Sequence, residues 1–258
     1  MIKEVRETFN DNFKQEYYNS LKNDLAQTVG EPCAFRISET PFFISKELKQ
    51  EVFDACDSII EQLWKIDFGE IRKKFIPKEL QSPSTLGNPH FLAIDFGLCD
   101  DGQGGIAPKL IELQSFPSLF MYQSLLGNAF LKNYPQIPKE GFHFYFNDLN
   151  DISYLADLKR VIIGDDQPEH VVLLEIYPEK QKTRMDFWAT KQALGIEVLC
   201  LTKVIKEGKK LFYEKDGKKI QINRIYNRVI LDELLQMPDL KTDFNLTDDV
   251  DVEWVSHP

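Results

Sequence analysis

The sequence predicts an α/β fold in two parts. A helix-rich amino-terminal part carrying an antiparallel hairpin is expected over residues 1–154, and a domain built on a parallel sheet over residues 155–258. Three observations predict it. Apolar residues recur at helical spacing before Phe91. The period then switches to two on both sides of the Asp100-Asp101-Gly102-Gln103-Gly104-Gly105 turn. Beyond Asp151, apolar runs of strand length flank a helical segment, the pattern of a βαβ step with parallel strands.

The first element carries Val5, Phe9, Phe13, Tyr17, Leu21 and Leu25 in steps of four. Each step advances about 40° beyond a full helical turn, so all six would wrap halfway round one straight helix. A helix capped at Asn10 or Asp11 is therefore expected, presenting Phe13 to Leu25 and ended by Gly30 and Pro32. Cys33 to Ile44 leans towards strand, with Pro41 confining it to an edge or a connection. Ser45 caps an amphipathic helix whose face is Leu48, Val52, Ala55, Cys56, Ile59, Ile60 and Leu63. Lys65 to His90, interrupted by Pro77, Pro83 and Pro89, reads as connecting structure with one short helix.

From Phe91, Leu92, Ile94 and Phe96 alternate with Ala93, Asp95 and Gly97. After the glycine-rich turn, Ile111 and Leu113 alternate with Leu110, Glu112 and Gln114. This is a hairpin with one buried face, and a turn centred between Gln103 and Gly104 sets Asp95 opposite Glu112. A helix is expected from about Ser118 to Lys132. Val161-Ile162-Ile163 and Val171 to Ile176 read as strands, Asp186 to Leu194 as a helix closed by Gly195, and Ile196 to Leu201 as the next strand. Asp216-Gly217 marks a second hairpin between Leu211–Glu214 and Lys219–Ile222. A strand from Arg224 to Val229 and a short helix around Asp232 to Gln236 follow. The acidic tail from Asp239 to Glu253 carries no closing element in this reading.

Composition limits the function classes. With 43% hydrophobic and 28% charged residues, the chain is that of a soluble globular protein. A formal charge of -10 argues against sequence-independent binding to nucleic acid, which needs a basic face. Cys33, Cys56, Cys99 and Cys200 form no C-x-x-C pair and are expected reduced. His90, His143, His170 and His257 lack metal-ligand spacing. The first 15 residues lack the apolar core of a signal peptide. No stretch reaches the roughly 20 apolar residues of a bilayer span, so a cytoplasmic protein without a membrane partner is expected.

Several motifs are absent. The Asp100 to Gly105 loop is followed by no Gly-Lys-Ser/Thr and opens no helix, so it reads as a wide hairpin turn rather than a phosphate cradle. Glu175-Ile176-Tyr177-Pro178-Glu179 stands where a dinucleotide fingerprint would follow the first strand. Ser115 and Ser118 lack a G-x-S-x-G context.

Two constellations remain. Asp95, Glu112 and Gln114 share the hairpin's polar side, where opposed carboxylates either stand screened in water or hold a hard cation through oxygen. Arg224 and Arg228, four apart on one strand face with Tyr226 between them, fit a clamp on a carboxylate or phosphate. They equally fit two arginines paired with the acidic tail.

Two blocks resemble the circularly permuted ATP-grasp ligases, the group of eukaryotic-type glutathione synthetase and glutathionylspermidine synthetase-like enzymes. Phe91-Leu92-Ala93-Ile94-Asp95 with Lys109-Leu110-Ile111-Glu112-Leu113-Gln114-Ser115 is similar to that family's strand pair ending in Glu-Ile-Asn-Thr. Val171 to Leu174, Gly195 to Val198, Lys218 to Ile220 and Ile225-Tyr226-Asn227-Arg228 resemble its Rossmann-like, pre-ATP-grasp substrate domain. The resemblance spans roughly Phe91 to Leu235. It implies magnesium at Glu112 and Gln114, an asparagine counterpart lengthened by one bond. It implies substrate contacts from Asp95, Ser115 and Ser118 and a catalytic Arg228; Arg224 has no clear counterpart in that family and is named as a further substrate contact beside them. The implied chemistry is ATP-dependent joining of a small-molecule acid to an amine through an acyl phosphate. The nucleotide-holding lobes of such ligases have no counterpart here, so the chain is expected to be one portion of a longer polypeptide, inactive alone. The competing readings are a non-catalytic binding or scaffold module and a metal-dependent nucleotidyl- or glycosyltransferase.

Overall fold

Helix α1 (Lys3–Asp11) takes up Asn10 and Asp11, the expected caps, so α2 (Gln15–Val29) starts only after Lys14 and without a side-chain cap. The break at Asn12 to Lys14 cures the drift of that stripe: each half turns its own apolar side inward, so Phe9, Leu21 and Leu25 are all buried. Gly30, at φ 93°, ends α2 in the left-handed conformation that glycine adopts without strain. The computed structural model describes residues 2–81, 88–116, 118–138 and 140–256. Pro83 and His257 lie outside the described residues.

Cys33 to Ile44 forms no strand. It runs as an extended connection that buries Ile37 and Phe43. Helix α3 (Lys46–Leu63) starts where Ser45 Oγ accepts from the Leu48 amide. The short helix expected in the connecting region is α4 (Phe68–Phe75), capped by Asp67. Strands β1 (Ala93–Asp100) and β2 (Ile106–Gln114) form the antiparallel hairpin, and Asp95 pairs with Glu112 in the expected register. The next pair is Phe96 with Leu110, which leaves Ile111 as a bulge. Its side chain lies across Gly97 and is 69% exposed, so the hairpin's apolar face is only partly covered.

Helix α5 (Phe120–Asn133) matches the expected span within two residues at its start. Helix α6 (Asp151–Ile162) corrects the sequence reading: Val161 and Ile162 are its last turn, not a strand. Asn150 opens α6 with a reciprocal capping box to Ser153, and Leu158 and Ile162 make its buried stripe. A run of three apolar residues fits a helix end as well as a strand, and the Asn150 cap eleven residues before Val161 decides.

Strands β3 (Val171–Glu175) and β4 (Glu197–Cys200) are joined by α7 (Arg184–Leu194) in the predicted parallel step. Strands β5 (Ile205–Glu207), β6 (Lys210–Lys215) and β7 (Lys218–Ile222) make a three-stranded antiparallel sheet around the Asp216-Gly217 turn. Strand β8 (Arg224–Asn227) and helix α8 (Leu231–Leu235) follow. The acidic tail ends in β9 (Glu253–Val255), a strand the sequence reading did not contain. The main sheet has order β4-β3-β8-β9, and every neighbouring pair is parallel.

Both faces of this sheet are covered, which is why its strands read as continuous apolar runs. Val171, Leu173, Tyr226 and Val255 face the helices, in a core with Phe9, Leu21, Leu25, Phe130, Tyr134, Leu158 and Phe187. Val172, Leu174 and Ile225 face the small sheet, together with Leu211, Tyr213, Phe244 and Leu246. The helical core draws on residues from both sides of position 154, and α6 runs through that position unbroken.

Candidate functional site at the carboxyl edge of the parallel sheet

The chain leaves β3 for β4 through α7 on the helical face and reaches β8, on the other side of β3, through the small sheet. Strand order therefore reverses between β3 and β8, the position where open α/β sheets form a crevice at their carboxyl ends. Glu175 ends β3, and Asn227 and Arg228 end β8.

Arg228 is 3% exposed. Its amide donates to Leu174 O at 2.9 Å and extends the ladder by one rung. Its Nη1 donates to Asp186 Oδ2 at 2.7 Å. The guanidinium lies between the Phe187 ring, 4.9 Å from its centroid, and the Phe116 ring, 5.5 Å away. Asp186 is fully buried on the first turn of α7, and its other oxygen accepts from the Met121 and Tyr122 amides. Those amides open α5, whose own cap position, Leu119, is left-handed at φ 58° and offers no side-chain bond. One carboxylate thus caps a helix 64 residues away in sequence and neutralises the arginine. The open clamp suggested by the strand spacing is a closed ion pair.

Arg224 is likewise committed. Its Nε and Nη2 donate to Ile162 O and Val161 O at 3.0 and 3.1 Å, capping the carboxyl end of α6, and its Nη1 pairs with Glu253. The alternative reading of an arginine paired with the acidic tail describes Arg224, with the arginine buried and Glu253 exposed. Tyr226, between the two arginines, is buried against Phe91.

Glu175 is 5% exposed, and its Oε1 accepts from the Ile176 amide at 2.7 Å. Burial pushes its carboxyl up to about 8, against the lowering effects of the Ile176 amide and of Arg228. Nearby, Gln181 Nε2 reaches Ile176 O and Glu233 Oε2, and Tyr177 sits at φ 45° with its amide on Cys200 Sγ.

The hairpin meets this edge. Beyond Gln114 the chain passes exposed Ser115 and places Phe116 on Arg228, while Ser256 Oγ approaches Ser115 O at 3.4 Å just past β9. Asp95 and Glu112 are directly opposed and exposed, and Gln114 and Ser118 are half-buried. Among the described residues no three histidine, cysteine, aspartate or glutamate side chains converge as a metal cluster. Asp95 and Glu112 stand opposite on the hairpin, and Gln114 lies two residues further along β2.

The sequence reading named Arg228, Arg224, Asp95, Glu112, Gln114, Ser115 and Ser118. The fold gathers Arg228, Ser115 and the exit of β2 at one edge, and sends Arg224 to the opposite, amino-terminal end of β8. It missed Asp186 and Glu175. An aspartate on the inward side of an otherwise apolar Met185-Asp186-Phe187 turn was the available signal, as was a glutamate closing an unbroken apolar strand. No protein-family model matches the chain, and a search of curated proteins finds no match.

Proposed function

We propose that this chain is the substrate-domain portion of an ATP-dependent carboxylate–amine ligase that works through an acyl phosphate. The observation that carries the reading is the Asp95–Glu112 register pair. Two like charges stand opposite on an exposed hairpin, a costly arrangement unless solvent or a cation offsets it. The exit of that hairpin runs to the carboxyl edge of the parallel sheet, where ligands of α/β sheets gather.

The donor set fits magnesium. A protein usually gives this ion one or two carboxylates and leaves its remaining positions to water and phosphate oxygens. Asp95 and Glu112 would hold it, with the Gln114 amide oxygen as a further donor. When bound, the ion supplies neutralisation of phosphate charge. Ser115, exposed, and Ser118 are the substrate contacts of this reading. Arg228 and Arg224 act by position: one fixes the sheet edge to α5 and α7, the other fixes β8 to α6. In this reading both ATP binding and turnover need the nucleotide-holding lobes of such ligases.

The closed Arg228–Asp186 pair favours a second reading, a binding module that keeps the fold without ligation. Thermal unfolding with magnesium and ATP tests the shared premise. In a polypeptide that carries the nucleotide lobes, magnesium-dependent stabilisation by ATP is expected and should vanish in Asp95→Asn and Glu112→Gln. No shift in that polypeptide with Asp95 and Glu112 intact sinks both readings. ADP release on adding amino acids and amines to a polypeptide carrying the nucleotide lobes separates the ligase from the module.

A further inference from the structure

Helix α4 poses a physical problem. Eight residues are too few for a stable isolated helix in water, yet none of its residues is buried. Its apolar side chains face solvent: Phe68 is 49% exposed, Ile71 40% and Phe75 68%, beside Trp64 at 67% in the turn before it. Positions 68, 71 and 75 fall on one stripe of a helix, and positions 72 and 74 flank that stripe. Arg72 and Lys74 occupy the flanks. Lys73 and Glu70 pair with each other on the far side at 2.7 Å.

Charge identifies what the stripe meets. The stretch from Trp64 to Lys78 carries five basic and two acidic side chains in a chain whose formal charge is -10. Aromatic and aliphatic side chains on one stripe, with long cationic side chains at its margins, are the arrangement of a helix lying in a lipid headgroup layer. There the apolar stripe enters the acyl boundary, and the lysine stems reach up to phosphate. We infer that α4 and the Trp64 turn form a peripheral docking surface for an anionic lipid bilayer. The sequence expectation of no membrane partner rested on the lack of a span. No helix among the described residues is long and apolar enough to cross a membrane, and a helix lying on the surface needs no such length.

Co-sedimentation of the whole chain with vesicles tests this. Binding is expected to vesicles of phosphatidylcholine mixed with phosphatidylserine and to be far weaker with phosphatidylcholine alone. Each neutralised lysine should lower the partition coefficient roughly five-fold, read with Lys65→Gln and Lys74→Gln. Phe68→Ser with Phe75→Ser should abolish binding. These side chains are exposed, so the variants should keep the wild-type circular dichroism and melting temperature. Trp64 emission should shift to the blue with anionic vesicles, and the shift should be absent in Trp64→Phe. Failure to sediment with anionic vesicles overturns the proposal, as does binding that survives the double phenylalanine variant. Sedimentation equilibrium showing a dimer that the same double variant dissociates would assign the stripe to a second copy instead, and would equally overturn it.

Discussion

Arg228 shows how far a residue's role depends on what surrounds its charge. Spacing on a strand establishes that a guanidinium can reach an anion, and here the anion is the protein's own Asp186. Removing either partner would leave a buried charge alone, at a cost of about 3–5 kcal/mol. Glu175 is the opposite case, a buried carboxyl whose acidity is weakened by burial more than Arg228 restores it. Its folded-state value, about 8, lies above its ordinary value of 4.5. Between those two values the unfolded chain releases the proton while the folded chain keeps it, so stability falls as pH rises through the window and levels off above it. Below the window the group contributes nothing to the pH dependence. Glu175→Gln keeps an acceptor for the Ile176 amide and removes the titration. Urea midpoints should therefore decline by the equivalent of a few kcal/mol from pH 4.5 to pH 8 in the wild type relative to the variant. Parallel pH profiles for the two proteins would refute the buried, protonated assignment.

Single elements here are positioned by contacts that local spacing does not encode. Helix α5 carries Gly127, where an added Cβ would come within 2.4 Å of the Phe144 ring. The segment after α5 therefore lies directly on the helix. It is fastened there by Ser124 Oγ, Tyr145 OH and Asp151 Oδ1, joined in succession at 2.6 Å. Gly127→Ala should destabilise by about 1–3 kcal/mol through overpacking, although alanine is the better helix former. Chemical denaturation measures this, and a stabilised variant would mean that the segment gives way freely. The same principle explains α1 and α2. The spacing of four shows that both are helical, but only the core they meet dictates the break between them.

At the scale of the whole molecule, one buried cluster joins Phe9 and Tyr134, stacked with centroids 5.2 Å apart, to Phe187 and Tyr226 on the other side of position 154. Arg184 and Trp188 on α7 reach Glu31, just beyond α2, at 2.9 and 2.7 Å. With contacts this continuous, the chain should unfold in one calorimetric transition, its calorimetric and van't Hoff enthalpies agreeing. Two resolved transitions would show that residues 1–154 and 155–258 are independent units.

Period and punctuation along the chain carry much of this fold. The hairpin with Asp95 facing Glu112, the parallel β3-α7-β4 step, the Asp216-Gly217 turn and the Ser45 cap are set by neighbours a few positions away. Packing from distant parts of the chain, by contrast, makes Val161 and Ile162 close a helix and draws the acidic tail into β9. The same is true of Arg228, which meets Asp186 before it could meet any ligand. Those outcomes turn on desolvation. A charge or a short apolar run takes its meaning from the groups that exclude water around it, and the fold brings those groups from far along the chain.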